Sequence, residues 1–420
     1  MSWIEKLIKN DHKEPLFVFF KFVSCGIVIF LPFFLVFKSF HILNYKHAIP
    51  MMILVGVAYL LTMLVVGKLS LYPRVSSFGL CFSILLFSYM AIILVISAVR
   101  VYYSRSYLLI SFLLSLLSLL TLKYLEHKHK RLRFVLLSDL GGNEAEDLAR
   151  LNIEFLRAIK PSEDHYDGIV VKDIKSLSPD IARFIVAESL KGTPVYTFAE
   201  LYAAFLGRAP LNYIDPDLLG RNASSSIYKG VKRAVELSIA TVFLVPATVI
   251  GLIIAISIML DSEGPVFFIQ ERVGQNGKPF KLIKFRTMHN NSESNGPQFA
   301  EENDSRVTRV GKFLRKTRLD ELPQLINVIR GDMSFVGPRP EQIPFARQFE
   351  EKIPYYNLRY SLKPGLTGWA QINRGYTSGL DDTREKLEYD LFYLRYESPW
   401  LDLLILFKTL NIVLTGFGAR

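Results

Sequence analysis

The sequence predicts a membrane protein in three parts. An α-helical N-terminal four-span bundle comes first, then a small α/β cytoplasmic domain, then a C-terminal α-rich domain opened by a re-entrant membrane helix. Three observations lead there. Half of the 420 residues are hydrophobic, and they concentrate before residue 123. Lys and Arg are shared unevenly among the loops that join the apolar runs. A later apolar run, Ala234–Leu260, has basic residues at both ends.

The bundle occupies residues 1–125. Its runs, Leu16–Phe37, Ala48–Gly67, Phe78–Val99 and Ser106–Leu122, each approach the ~20 residues that cross a bilayer. The first is long, aromatic-rich and followed by further spans, unlike a cleaved signal peptide. The only cysteines, Cys25 and Cys81, lie inside these runs and suggest neither a disulfide framework nor a zinc site. Orientation follows the basic residues. Lys6, Lys9, Lys13, Lys68, Arg74, Lys123, Lys128, Lys130, Arg131 and Arg133 stand on one side; Lys38, Lys46, Arg100 and Arg105 stand on the other. That asymmetry puts both ends of the bundle in the cytoplasm. The formal charge of +11 suits a protein that meets anionic lipid and anionic substrates. The membrane context argues against nucleic acid as the partner.

Residues 131–220 read as the α/β domain. RFVLLSD (Arg133–Asp139) and YDGIVVKD (Tyr166–Asp173) look like buried strands, with a short strand near Pro194–Phe198. Helical patterns at Ala145–Ile159 and Pro179–Leu190 alternate with them. The first strand runs into Gly141-Gly142-Asn143, which lacks the third glycine of a dinucleotide fingerprint. A Rossmann-like fold used for regulation or assembly fits better than a working cofactor site. Residues 221–230 form a polar linker.

Ala234–Leu260 decides the topology. It is 27 residues long with one charge, Glu236. Lys229, Lys232 and Arg233 precede it, and Arg272, Lys278, Lys281 and Lys284 follow. A crossing would carry that second basic group outside, against the charge rule. Pro246 sits mid-run, where it removes a helix hydrogen bond and permits a sharp bend. The expectation is a helix–break–helix that dips into one leaflet and returns; a kinked ordinary span is the alternative.

Beyond it, Arg315–Pro340 (RKTRLDELPQLINVIRGDMSFVGPRP) is the most informative stretch. Asp320 and Glu321 open a short amphipathic helix whose apolar side is Leu322, Leu325, Ile326 and Ile329. Pro323 suits its first turn. Arg315, Lys316 and Arg318 precede the acids, and Gly337-Pro338-Arg339-Pro340 follows the helix. Guanidinium groups offset phosphate charge, and a carboxylate among them can act as nucleophile or hold a metal. Two acids favouring a helix N-terminus are the plainer reading. Further apolar residues, Leu401–Leu414, suggest a membrane-surface helix or a fifth span.

Residues 229–420 resemble the bacterial sugar transferases that start glycan assembly on polyprenyl phosphate, the monotopic phosphoglycosyl transferases. The matching motifs run in order: Lys232-Arg233, GPVFFIQERVG, KFRTM, RVTRVGKFLRKTRLDELPQLINVIRGDMSFVGPRP, KPGLTGWAQIN and LEYDLFYL. The four-span bundle and α/β domain resemble the long form of that family, the undecaprenyl-phosphate hexose-1-phosphate transferases. The resemblance implies a C-terminal α-rich catalytic domain in the bacterial inner (cytoplasmic) membrane, facing the cytoplasm. It implies two-step transfer of hexose 1-phosphate from a UDP-sugar to undecaprenyl phosphate, with release of UMP. Asp320 matches the nucleophile, and Glu321 the dyad partner that holds Mg²⁺, with Asp320, or assists the acceptor. Arg318, Lys284 and Arg286 match candidate phosphate contacts, Arg339 a loop on the nucleotide side, and Arg374 a weaker phosphate candidate. Arg374 departs from the Asn-Gly-Arg spacing of some members, and Val245-Pro246 from their frequent Ser-Pro. A homodimer and a role in capsule, exopolysaccharide or O-antigen assembly are also implied. A polyprenyl-linked phosphatase, or a non-catalytic scaffold of polysaccharide assembly, stands as the alternative function. A scaffold predicts a damaged dyad, whereas both acids are present.

Overall fold

A computed structural model of the chain describes residues 14–38, 48–75, 77–100, 102–128, 133–137, 154–157, 166–172, 177–214, 225–290, 304–374 and 379–415. The chain divides into two compact units, Met1–Leu206 and Gly207–Arg420.

The first unit opens with four apolar helices: α1 (Glu14–Phe37), α2 (Ile49–Leu69), α3 (Ser77–Val99) and α4 (Arg105–Lys128). All four are long and apolar enough to cross a membrane. Each packs on its chain neighbour, and α1 closes on α4. The hydrophobic effect does not drive association inside lipid, so close packing and interhelical hydrogen bonds, the latter roughly 0.6 kcal/mol each, fix the pairing. Tyr59 of α2 bonds Ser24 of α1 (2.9 Å) and Ser118 of α4 (2.8 Å). Thr62 meets Ser88 at 2.8 Å, and Tyr89 meets Ser115 at 3.2 Å. The outward faces, including Phe22, Leu64 and Leu94, are exposed and apolar.

The same unit then forms a parallel sheet from β1 (Arg133–Leu136), β2 (Glu154–Arg157), β3 (Gly168–Val171) and β4 (Val195–Thr197), in the order β2-β1-β3-β4. Phe134–Leu136 and Ile169–Val171 are buried throughout, as strands covered on both faces must be. Helices α5 (Pro179–Leu190) and α6 (Phe198–Leu206) flank β4 in sequence. Ser178 caps α5 by accepting a bond from Ile181 N, and Pro179 sits in the first turn. One expectation fails here. Part of the helix read at Ala145–Ile159 is strand: Glu154–Arg157 pairs in register with Arg133–Leu136. Sheet pairing overrode a local helical pattern. Residues 141–153 lie outside the described set, the glycines after β1 among them.

The second unit is mixed α/β rather than simply α-rich. Its first helix, α7 (Ser226–Asp261), has 36 residues and is about 54 Å long at 1.5 Å per residue. Ser225 caps it by accepting from Tyr228 N (3.2 Å). It runs unbroken through Pro246, so the expected interruption is a proline within one helix rather than a gap between two. One stripe along α7 packs on its own unit. Arg233 donates to Val328 O (2.6 Å) and Ile329 O (2.8 Å). Glu236 accepts from Ser334 Oγ and Phe335 N. Ala240 and Ala247 pack on Leu282, Leu325, Val328 and Met333, while Ile254 and Ile258 pack on Phe285 and Leu314. Asp261 accepts from Val310 N (3.0 Å). These positions are spaced by three, four or seven residues, which is one helical face. Val242, Val245, Val249, Leu252 and Leu260, off that stripe, are exposed.

Strands β5 (Phe267–Val273) and β6 (Pro279–Phe285) make an antiparallel hairpin, with Phe267 opposite Phe285. Helices α8 (Arg309–Thr317) and α9 (Gln324–Arg330) follow. Next come β7 (Ser334–Val336), α10 (Ile343–Lys352), β8 (Gly365–Thr367) and α11 (Trp369–Asn373). Helices α12 (Leu380–Tyr396) and α13 (Pro399–Thr415) complete the unit. Residues 207–214 belong to it: Trp369 Nε1 donates to Gly207 O (2.7 Å), and Ala209 N to Glu388 O.

Candidate active site

Asp320 and Glu321 sit in a tight turn, Leu319–Glu321, between α8 and α9. Thr308 starts α8 by accepting from Gly311 N (2.9 Å). Arg318 ends it with φ at 59°, left-handed backbone that costs a non-glycine residue about 1–2 kcal/mol. That reversal lets Leu319 and Leu322 pack against Ile254, Ile258, Phe285 and Leu314. The two acids are thereby pinned between apolar anchors that belong in part to α7.

Asp320 is only 8% exposed, and its Oδ1 has no hydrogen-bond partner. Burial, with the neighbouring Glu321 carboxylate, pushes its carboxyl up to about 6; Lys284, Arg318 and Arg339 pull the other way. A carboxylate so placed is still ionised at neutral pH, poorly solvated and faced by three cations. Glu321 Oε1 accepts from Arg318 Nη1 (3.4 Å) and from both terminal nitrogens of Arg339 (3.3 Å each). Lys284 comes from β6, with its ammonium 4.8 Å from the Phe268 ring centre.

Arg339 is held by its backbone. Gly337 allows the chain to cross β8 closely: a Cβ there would lie 2.2 Å from Lys363 O. Arg272 Nη1 donates to Pro340 O (3.1 Å), and Arg359 Nη2 to Arg339 O (3.0 Å). Arg359 also stands 2.9 Å from Asp390, a pair almost wholly buried. The sequence carried Asp390 inside LEYDLFYL, two residues after Glu388, and no local signal there marked it as the partner of an arginine.

The structure therefore gathers Asp320, Glu321, Arg318, Lys284 and Arg339. Two predicted phosphate contacts are committed elsewhere. Arg286, 5% exposed, donates to Ser262 O (2.7 Å), Ser262 Oγ (3.0 Å) and Glu263 O (2.8 Å), which closes the end of α7. Arg374 pairs with Asp382 (3.0 Å) and Glu385 (3.1 Å) of α12. Its charge and its place in KFRTM made Arg286 a phosphate candidate, but the carbonyls of the chain leaving α7 claim its donors.

The donor set fits Mg²⁺. Among the described residues no group of three or more His, Cys, Asp and Glu side chains gathers as a metal cage. Two adjacent carboxylates, one with an unpartnered buried oxygen, match the way Mg²⁺ takes one or two carboxylates plus substrate phosphates and water.

Relatives share this part of the chain. A family model described as bacterial sugar transferase matches residues 227–416. Over 368 residues the chain is 37% identical to the UDP-N-acetylgalactosamine-undecaprenyl-phosphate N-acetylgalactosaminephosphotransferase of Aeromonas hydrophila, covering 87% of this chain and 86% of that one. The UDP-glucose:undecaprenyl-phosphate glucose-1-phosphate transferase of Escherichia coli strain K12 is 45% identical over 195 residues, 46% of this chain and 41% of that one. Its Klebsiella pneumoniae counterpart is 46% identical over 188 residues, 44% of this chain and 40% of that one. The carboxylate turn, the cations around it and the apolar helix beneath it all lie within the matched stretch, and the chain belongs to the bacterial sugar transferase family.

Proposed function

We propose that this enzyme transfers a sugar 1-phosphate from a UDP-sugar to undecaprenyl phosphate through a covalent intermediate on Asp320. The observation that carries the reading is the buried, ionisable Asp320 amid Lys284, Arg318 and Arg339. An Asp320 oxygen attacks the sugar-bearing phosphorus, the bond to the UMP oxygen breaks, and UMP leaves with the electron pair. An oxygen of undecaprenyl phosphate then attacks that same phosphorus, and Asp320 leaves as a carboxylate. The lipid diphosphate sugar is the product. Arg318 and Arg339 hold Glu321 in place and, with Lys284, offset the phosphate charge in both steps. Mg²⁺ held by Glu321 and Asp320 would supply further charge neutralisation. The sugar is a hexose or an N-acetylhexosamine, as the relatives' names suggest.

A covalent intermediate predicts exchange without acceptor. Labelled UMP should appear in UDP-sugar when the enzyme meets both and no lipid phosphate is present. Exchange that requires undecaprenyl phosphate would replace this scheme with direct transfer. A panel of UDP-sugars in the same assay identifies the donor.

Topology belongs to the proposal. The stripe of α7 holds contacts to its own unit from Arg233 to Asp261, which supports both ends of the helix lying on the cytoplasmic side. With Cys25 and Cys81 replaced, a cysteine at Lys278 should react with a membrane-impermeant maleimide only after lysis. Labelling in intact cells would make α7 an ordinary span.

A further inference from the structure

The Lys232-Arg233 pair before the apolar run has no part in the carboxylate cluster, and the structure shows what surrounds it. A cavity of about 150 Å³ opens at the foot of α7. Lys229, Lys232, Arg233 and Lys363 line it, against two carboxylates, Glu236 and Glu397. None of Asp320, Glu321, Arg318, Lys284 or Arg339 contributes.

The carboxylates do not neutralise this set. Glu236 accepts from Ser334 Oγ and Phe335 N and keeps its charge, yet with Asp402 counted four cations still face three carboxylates. Glu397 and the nearby Asp402 pair with Lys232 at 3.4 and 2.9 Å. Arg233 donates to two carbonyls, which leave its charge in place. The Lys229 and Lys363 ammonium groups have no hydrogen bond or ion pair among the described residues. Arg233 and Lys363 also converge. A Cβ on Gly331 would lie 3.4 Å from Arg233 Nη2 and 3.8 Å from Lys363 Nζ, so both cationic tips approach one point beside a residue without a side chain. Like charges that converge on an open cavity favour an anion there.

The position indicates the source of that anion. Val235 and Ile239 stand three and seven residues after Lys232, and Leu237 four after Arg233, so an exposed apolar row continues the cavity's own side of α7 toward the middle of the helix. An apolar row beside a basic cavity presents acyl chains and phosphate with their two environments at once. We propose that this cavity is a binding site for the phosphodiester headgroup of an anionic glycerophospholipid, separate from the reacting lipid phosphate. The proposal rests on α7 entering the bilayer from the side that carries the second unit. The bound lipid would fix the depth of α7 at the interface.

The test uses the full chain reconstituted in phosphatidylcholine vesicles that contain a photoreactive phosphatidylglycerol. Cross-links should map to residues 225–236 and 361–366, and unlabelled phosphatidylglycerol should compete. The Lys229→Ala/Lys363→Ala variant should lose about tenfold of the yield, whereas Lys229→Arg/Lys363→Arg should retain it. Equal labelling by a phosphatidylcholine analogue would overturn the site, as would an unchanged yield in the alanine variant. Competition by glycerol 3-phosphate or inorganic phosphate as strong as by the lipid would assign the cavity to a soluble anion instead, and overturn the lipid. The readout is occupancy and needs no turnover, so it stands or falls apart from the UMP exchange assay.

Discussion

Replacing Asp320 with Asn should abolish both UMP exchange and lipid product, by about 10⁴-fold or more, as loss of an attacking group does in covalent catalysis. The fold should survive it. Asp320 is buried, and its carboxyl stands at about 6, above the ordinary carboxylate value. A folded value above the unfolded one means that the ionised acid opposes folding at neutral pH. Neutral Asn removes that cost, so thermal unfolding should occur at the same temperature or higher. An acid that only favours a helix N-terminus predicts the reverse, a loss of up to ~1 kcal/mol in stability with activity kept. Activity and unfolding measured on one preparation separate the two, and retained exchange would remove Asp320 as nucleophile.

The second large effect is expected at Asp390. Its removal leaves the buried Arg359 guanidinium with only the longer pair to Glu341 (3.6 Å), and breaking such a buried pair costs about 3–5 kcal/mol. The loss should reach the site, because Arg359 also holds the carbonyl of Arg339, which grips Glu321. The double variant Arg359→Met/Asp390→Leu buries no charge and should recover most of the stability. It should not recover full exchange, since the Arg339 carbonyl then loses its donor. Full recovery of exchange would reduce the pair to packing. The single variant Arg359→Met makes a pH prediction. Burial already pushes the Asp390 carboxyl up to about 6 while Arg359 pulls it down. Without Arg359 it should rise further, so the variant binds more protons folded than unfolded and should gain stability as pH falls from 7 toward 5.

Local pattern made much of this legible. Apolar runs of spanning length gave the four helices of the bundle to within a few residues, and Ser178-Pro179 fixed the start of α5. The carboxylate turn was visible because acids, arginines and a Gly-Pro-Arg-Pro turn are close in sequence. What escaped depends on distant partners. Glu154–Arg157 became strand only through Arg133–Leu136. Phe267–Val273 mixes apolar and charged residues, and its alternation shows once its hairpin partner covers one side. Arg286 and Arg374 carry the charge of phosphate ligands, yet a helix end and two acids of α12 claim them. Arg359 and Asp390 are 31 residues apart in sequence, and no local spacing announces their pairing.

The contacts along α7 also set an order of events during synthesis. Arg233 waits for Val328, which follows 95 residues later, and Asp261 waits 49 residues for Val310. At ~5–20 residues per second the first delay is about 5–20 s. Through that interval the helix emerges with its outer face ready for lipid and its inner stripe without partners. On the proposed topology, whatever receives the nascent chain keeps a complete, crossing-length apolar helix from being committed to the far side until its own domain arrives to claim both ends.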